Sequence, residues 1–263
     1  MSEVVKVSSD ARGVFTVSLE RPDKHNAFDD AIIAALSKAF EDIASTSSAR
    51  VMVLSAAGRS FSAGADLAWM QRMAGYSVDE NLRDARALAA MLAQLNTLPV
   101  PTIARVQGAA FGGAVGLVSC CDMAVGSERA AFCLSEVKIG LIPATISPYV
   151  VAAIGERASR RYFTSAERFD AEEALRLGLL SQLVDGASLD AAIEALIEQI
   201  LANGPLAVRA AKRLVAEVAD APIDAKLIDT TCHRIADIRV SSEGQEGLAA
   251  FLDKRQPGWQ LED

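Results

Sequence analysis

Apolar and polar residues alternate over Val4–Val7 and Val14–Leu19, on either side of Asp10-Ala-Arg-Gly13, and this spacing predicts a β-hairpin. The polar stretch Arg21–Phe28 reads as an ordered turn. Asp29 or Asp30 then starts a helix with Ile32, Ile33, Leu36, Phe40 and Ile43 on one face. Arg50–Ala56 reads as a short apolar strand. A loop, Ala57–Ser60, leads into Phe61–Asp66, and helices follow over Leu67–Tyr76 and Asp79–Leu95. Pro99-Val-Pro101 interrupts the chain before a buried strand, Thr102–Val106. The glycine-rich run Gly108–Gly113 joins that strand to a small apolar helix, Ala114–Cys120. A strand is expected over Asp122–Gly126 and extended chain over Ala131–Glu136. Short helices follow near Pro148–Ile154, Glu156–Thr164, and from Phe169-Asp170 to Gly178. Beyond about Leu189 only helical spacing remains, over Leu189–Ala202, Leu206–Val218, Ile223–Ile238 and Ser241–Leu252.

Strands alternating with helices predict a parallel, helix-covered sheet. The strand–glycine–helix turn recurs at Gly64 and at Gly112-Gly113, without a fixed period, which suggests repeated β-β-α turns rather than a regular solenoid. An all-helical tail is long to stand alone and is expected to pack on another surface, of its own subunit or a neighbour's. The expected division is therefore residues 1–188 as the core and 189–263 as a helical region.

The glycine run carries the first hint of chemistry. Glycines let the backbone bend sharply and let another group approach closely. The first N–H groups of a helix have no partner within it and carry the positive end of its dipole, which suits an oxygen that becomes negative during a reaction. The same run also suits plain packing or phosphate binding.

Composition narrows the field. The chain has 263 residues, of which 51% are hydrophobic and 23% charged, enough for a sizeable core. A net charge of −8 argues against a general nucleic-acid or membrane-surface binder. With neither a charged start followed by an apolar run nor an apolar stretch of roughly 18 residues, no signal peptide or membrane span is expected, and the expected compartment is the cytoplasm. Cys120, Cys121, Cys133 and Cys232 form no Cys-x-x-Cys pair and read as buried, reduced thiols. His25 and His233 offer little for a metal site, and no metal is expected.

Three segments in order carry a family likeness: Arg21-Pro-Asp-Lys-His-Asn-Ala-Phe28, Ser62-Ala-Gly-Ala-Asp-Leu67, and Gly108-Ala-Ala-Phe-Gly-Gly113 leading to Cys121-Asp122. The likeness runs on through Phe132, Glu136, Gly140-Leu-Ile-Pro143, Ala171, Ala174, Gly178-Leu179, Phe251 and Lys254-Arg255. Together they resemble the crotonase (enoyl-CoA hydratase/isomerase) family. The resemblance implies an α/β fold, a crotonase-like spiral of β-β-α turns with a C-terminal helical trimerisation region. It implies a homotrimer or homohexamer, an acyl-CoA substrate, and no cofactor beyond the CoA that the substrate itself carries.

By the same resemblance, the N–H groups of Ala65 and Gly113 form an oxyanion hole and Glu136 is the general acid/base. Ala63, Asp66 and Leu67 border the CoA adenine. Lys24 and Ala27 lie beside the pantetheine and phosphates. Phe251 and Lys254 reach the nucleotide from the C-terminal helix, often that of a neighbouring subunit. In an apolar pocket the Glu136 pKa should rise.

The departure is at Gly116, where two-carboxylate hydratases of the family place a first glutamate. Glu136 alone could shuttle the proton; a polar group from elsewhere, including the substrate, could substitute; or the reaction could be double-bond isomerisation. Asp122 reads as structural, Ser119 and Ser135 are weak candidates for holding water, and Arg209, Lys212 and Arg213 read as plain surface. The segments around Gly112–Leu117, Phe132–Gly140 and Ile142–Tyr149 look like bacterial hydratases of branched glutaconyl-CoA thioesters, of the methylglutaconyl type in leucine breakdown and the isohexenylglutaconyl type in acyclic terpene breakdown. Residues around Ala144–Tyr149 would then border the acyl pocket. Set against hydration are isomerisation in the same fold and a non-catalytic or RNA-binding relative.

Overall fold

The computed structural model describes residues 4–260; the outermost residues of the two expected blocks lie outside them. Strands β1 (Val5–Ser9) and β2 (Val14–Leu19) form the expected antiparallel hairpin. Helix α1 (Asp30–Ser45) starts where the Asp29 carboxylate accepts the Ile32 N–H, and buries Ile32, Ile33, Leu36, Ala39, Phe40 and Ile43. Each large side chain buried in this way contributes about 1.5–3 kcal/mol. Strand β3 (Val51–Ala56) follows, then α2 (Leu67–Ala74) and α3 (Val78–Asn96), the last closed by a Ser77–Glu80 capping box.

Next come β4 (Thr102–Val106), β5 (Ala109–Phe111), α4 (Gly113–Cys120), β6 (Met123–Ser127) and β7 (Ala131–Cys133). Helix α5 (Ser147–Ser165) is broken at Gly155, where φ is 76°, which accounts for the two short helices expected there. The chain continues through β8 (Phe169–Asp170), α6 (Ala171–Leu177), β9 (Gln182–Val184), α7 (Leu189–Leu201), α8 (Pro205–Val218), α9 (Ala225–Val240) and α10 (Ser242–Leu252).

The larger sheet runs β1-β2-β3-β4-β6-β9 and is parallel from β2 onward. The smaller sheet, β5-β7-β8, takes the second strand of each turn. Thus β4-β5-α4 and β6-β7-α5 are successive β-β-α turns. The segment after β3 joins them by a bridge from Ser62 to Ala110. Strand β3 shows why the apolar run is unbroken. Met52 and Leu54 face the main core under α1, α3 and α4, while Val51 and Val53 face a second core under Ile193 and Ile197 of α7. A parallel sheet covered on both faces needs apolar residues at every position.

Three expectations for strands and cysteines are corrected. The glycine run, expected simply to join β4 to α4, contains a strand of its own, residues 109–111. Strand β9 was not anticipated, being three residues with one exposed. Cys232 is exposed rather than buried, although all four cysteines are free thiols.

The helical tail is fastened to the core by cations that reach main-chain carbonyls. Arg209 donates to Ser47 and Ala49, and Arg50 to Leu201 and Asn203. Lys212 donates to Val100 O at 3.0 Å and to Asp122 Oδ2 at 2.7 Å, and the same carboxylate oxygen takes the Thr102 N–H at 2.7 Å. Asp122 is therefore the structural residue expected, whereas Arg209 and Lys212 are not plain surface as expected but are held against the core. Asp122→Ala, which strands Lys212 and Thr102 together, is expected to lower unfolding free energy by about 1–3 kcal/mol in urea titrations, with KM unchanged.

Candidate active site

The site begins at a buried amide. Asn26, fully enclosed and held at φ 54°, accepts the Arg21 N–H on its Oδ1 and donates from Nδ2 to the carbonyls of Ala57 and Ser60. This pins the 21–28 turn against the loop after β3. Residues 62–66 then run as a short extended segment between two neighbours. Phe28 N–H donates to Gly64 O and Asp66 N–H to Phe28 O, both at 2.7 Å, while Ser62 pairs with Ala109 and Phe111 of β5.

In that pairing Gly64 and Asp66 are the residues bonded to Phe28, so the Ala65 N–H points the other way. Gly113, first residue of α4, has the unpaired N–H of every helix start. Among the described residues, neither N–H donates to a protein acceptor.

The two donors are brought together by close backbone approach. A Cβ on Gly112 would lie 3.9 Å from Gly64 Cα, and 3.2 Å from Oε1 of Glu136. Gly112 also has φ 54° and ψ −124°, a conformation that residues with a Cβ avoid. The expected donors and the expected carboxylate thus meet around one glycine. Gly112 itself was read only as a turn residue. Its signal, a second glycine before a helix, does not show that the neighbour is a carboxylate about 80 Å of extended chain away in another turn; only the fold supplies that.

Glu136 opens a 3₁₀ turn, 136–139, that follows β7. It is half-buried, and its Oε2 is enclosed without a hydrogen-bond partner among the described residues. Burial pushes its carboxyl above the ordinary glutamate range, with its own backbone N–H opposing. Ile139, Leu141 and Ile142, just beyond it, are exposed and apolar. A carboxylate poised to exchange protons, beside two free N–H donors, is an arrangement for making and quenching an enolate at a thioester.

Asp66 has a heavier structural share than expected. Its Oδ1 accepts the Ala68 and Trp69 N–H groups that cap α2, and its Oδ2 takes Arg21 and Lys24, each at 3.1 Å. Burial alone would raise this carboxyl, but donation from Lys24, Trp69 and Ala68 holds it below the usual range. Ala63 and Leu67 are exposed on either side of Ala65, and Ala27 is buried next to Phe28. Lys24, Ala27, Ala63, Asp66 and Leu67 therefore share one edge, where the 21–28 turn meets residues 62–67. Phe251, 81% exposed, and Lys254 lie at the end of α10, which packs on α8 and α9. Among the described residues, no hydrogen bond or ion pair joins either side chain to that edge. The Ser119 hydroxyl donates to Val115 O at 2.8 Å, which commits its proton inside α4.

A model of the enoyl-CoA hydratase/isomerase family matches residues 9–262. The chain belongs to that family. It is an enzyme of the crotonase fold. The crystal structure of an enoyl-CoA hydratase from Shewanella pealeana is 47% identical, with a TM-score of 0.94 over 98% of this chain and 96% of that one. A putative enoyl-CoA hydratase of Thermus thermophilus is 32% identical over 250 residues, covering 93% of this chain and 96% of that protein. A 2,3-dehydroadipyl-CoA hydratase of Escherichia coli is 30% identical over 259 residues, covering 98% of each. Likeness over nearly the whole length places the family's acyl-CoA chemistry on this chain.

Two outcomes follow. Gly112→Ala is forced into a disfavoured backbone and against Glu136, so kcat should fall about tenfold or more in steady-state assays, while Gly113→Ala, whose Cβ finds 3.6 Å of room beside Phe28, should fold normally by circular dichroism. The second concerns pH. Because Glu136 titrates higher in the fold than in the unfolded chain, its protonation stabilises the fold; that stabilisation is complete below the unfolded value and is lost as pH rises through the folded one. Glu136→Gln does not titrate, so the wild type should lose stability relative to this variant across that window, read by urea unfolding at stepped pH.

Proposed function

We propose that the enzyme is a hydratase that adds water to an α,β-unsaturated acyl-CoA, with Glu136 as its one general acid/base and the Ala65 and Gly113 N–H groups as its oxyanion hole. The meeting of the three at Gly112 carries this reading. Water oxygen bonds to Cβ while the π pair moves to Cα and charge gathers on the thioester oxygen. Glu136 takes a proton from the water and delivers it to Cα, which regenerates the carboxylate. The two donors stabilise the oxyanion, each by about 2.7–4 kcal/mol where such groups have been removed singly. CoA enters as part of the substrate and no other cofactor takes part.

For the acyl group we propose a branched glutaconyl-CoA such as 3-methylglutaconyl-CoA. Two observations support it. Gly116 supplies no second carboxylate, a part that the acid end of such a substrate would fill. The similar Escherichia coli protein is named for another thioester with a free carboxylate at its far end. Isomerisation is the second reading, favoured by the same Gly116, with Glu136 moving one proton from Cγ to Cα.

We further propose that residues 1–188 form the catalytic spiral and residues 189–263 assemble subunits into a trimer or hexamer. Helices α8 and α9 bury no side chain among the described residues, and Val215, Ile223, Val240 and Phe251 are exposed. Phe251 and Lys254 would then close a neighbour's CoA site, with Lys24 on the near side. No single helix among the described residues is long and apolar enough to cross a membrane; a cytoplasmic enzyme is proposed.

The test is loss of the conjugated enoyl thioester absorbance with crotonyl-CoA, 3-methylglutaconyl-CoA and a longer branched glutaconyl-CoA, run in ¹⁸O-labelled water. Preference for a branched glutaconyl ester with label in the product is expected, and Glu136→Gln should lower kcat by about 10²–10⁴-fold while still binding CoA ester. Turnover without label would establish isomerisation; near-wild-type turnover of the variant would remove Glu136 from its role. The acid limb of kcat/KM should lie above the ordinary glutamate range, since burial holds Glu136 protonated to higher pH.

A further inference from the structure

A glycine inside a helix costs about 1 kcal/mol relative to alanine, so Gly116 in the interior of α4 calls for a compensating contact. That contact is Ile146. An ideal Cβ on Gly116 would lie 2.3 Å from Ile146 Cγ2 and 2.7 Å from Ile146 Cβ, with Leu92 Cδ2 at 3.6 Å. Ile146 is 1% exposed and immediately precedes α5. Gly116 is three residues beyond Gly113, and positions three apart share a helix face. Side chains on a helix lean toward its N-terminus, so a side chain at 116 would lean back toward the Gly112-Gly113 turn that meets Glu136, and the isoleucine occupies the volume it would need.

We propose that Ile146 is a specificity-determining residue: a hydrocarbon plug that keeps a second carboxylate, and the water it would hold, out of the site, and that bounds the acyl pocket beside Gly113. This rests on the acyl-CoA reading above. The contact is between carbon atoms, in a core cluster shared with Leu92, Val115 and Leu117, so nothing at this wall orients water. The site is left to substrates that a single carboxylate, Glu136, serves, or that bring a polar group of their own. The fit also means that a side chain can enter at 116 only if Ile146 gives way. Even an alanine at 146 keeps its Cβ against a side chain at 116, whereas glycine at 146 clears the space.

The test uses the full chain with Gly116→Glu, Ile146→Gly, both together, and Ile146→Ala. Three readouts are taken: the thermal midpoint, hydration of crotonyl-CoA, and solvent deuterium exchange at Cα of butyryl-CoA, which needs Glu136 and the oxyanion hole but no added water. Gly116→Glu alone should lower the midpoint. The double variant should recover it and hydrate crotonyl-CoA at least about tenfold faster than the wild type and than Ile146→Gly. Ile146→Ala should shift the kcat/KM ratio of branched over straight enoyl-CoA esters by about fivefold or more. A double variant that folds and exchanges the Cα proton, yet gains no hydration, overturns the assignment. Should the double variant not fold, an unchanged ratio in Ile146→Ala overturns it instead. Absence of Cα exchange in the wild type overturns the acyl-CoA reading and this assignment with it, whereas normal exchange with no effect at position 146 overturns this assignment alone.

Discussion

The structure depends on one close crossing of backbone, where the turn at Gly64 meets the turn at Gly112 and the Glu136 carboxylate closes over both. A Cβ on Gly112 would sit in a disfavoured backbone conformation and crowd the Glu136 carboxylate, and a shift there would disturb the N–H donors and the base together. Much of the surrounding framework holds this crossing in place. Asn26 fastens the first turn, Asp66 caps α2 beside it, and Gly112 N–H donates to Cys133 O, which ties the start of α4 to the strand that delivers Glu136.

The crossing has an energetic cost. An enclosed carboxylate oxygen without a partner among the described residues disfavours ionisation, so burying Glu136 works against the charged form. In the proposed reaction this is the group that trades its proton with the substrate. The rest of the core offsets that cost: both faces of β3 are buried, and α1 presents six buried side chains to the sheet. Even the groove of about 740 Å³ between the hairpin and α7 leaves its charges satisfied, with Arg12 paired to Asp10 and Glu194, and Arg105 to Asp190.

The sequence disclosed the elements better than their meeting. Val51-Met-Val-Leu54 is legible because both faces are apolar, and α1 because its spacing and Asp29 cap agree. Strands β5 and β9 were hidden by shortness: three residues give no period to read. For the site, motif order placed Ala65, Gly113 and Glu136 on one list, but their convergence is a property of three separate turns. Asp66 illustrates the limit well. Its place in a motif suggested contact with the nucleotide, whereas its cap to α2 and its pairing with Arg21 are visible only in space. Gly116 was legible as an omission; that Ile146 fills the omission was not, since thirty residues separate the two.

The Gly116–Ile146 fit also has a historical consequence. Introducing a side chain at 116 first overpacks the core, at about 1–3 kcal/mol. Trimming the isoleucine first leaves a void, at about 2–5 kcal/mol for a change as large as Ile→Ala. Natural proteins hold only a few kcal/mol in reserve, so either single step passes through a weakened chain. The pair therefore acts as a ratchet: each single step toward a two-carboxylate site costs stability that only the other step restores, which is sign epistasis between two positions thirty residues apart.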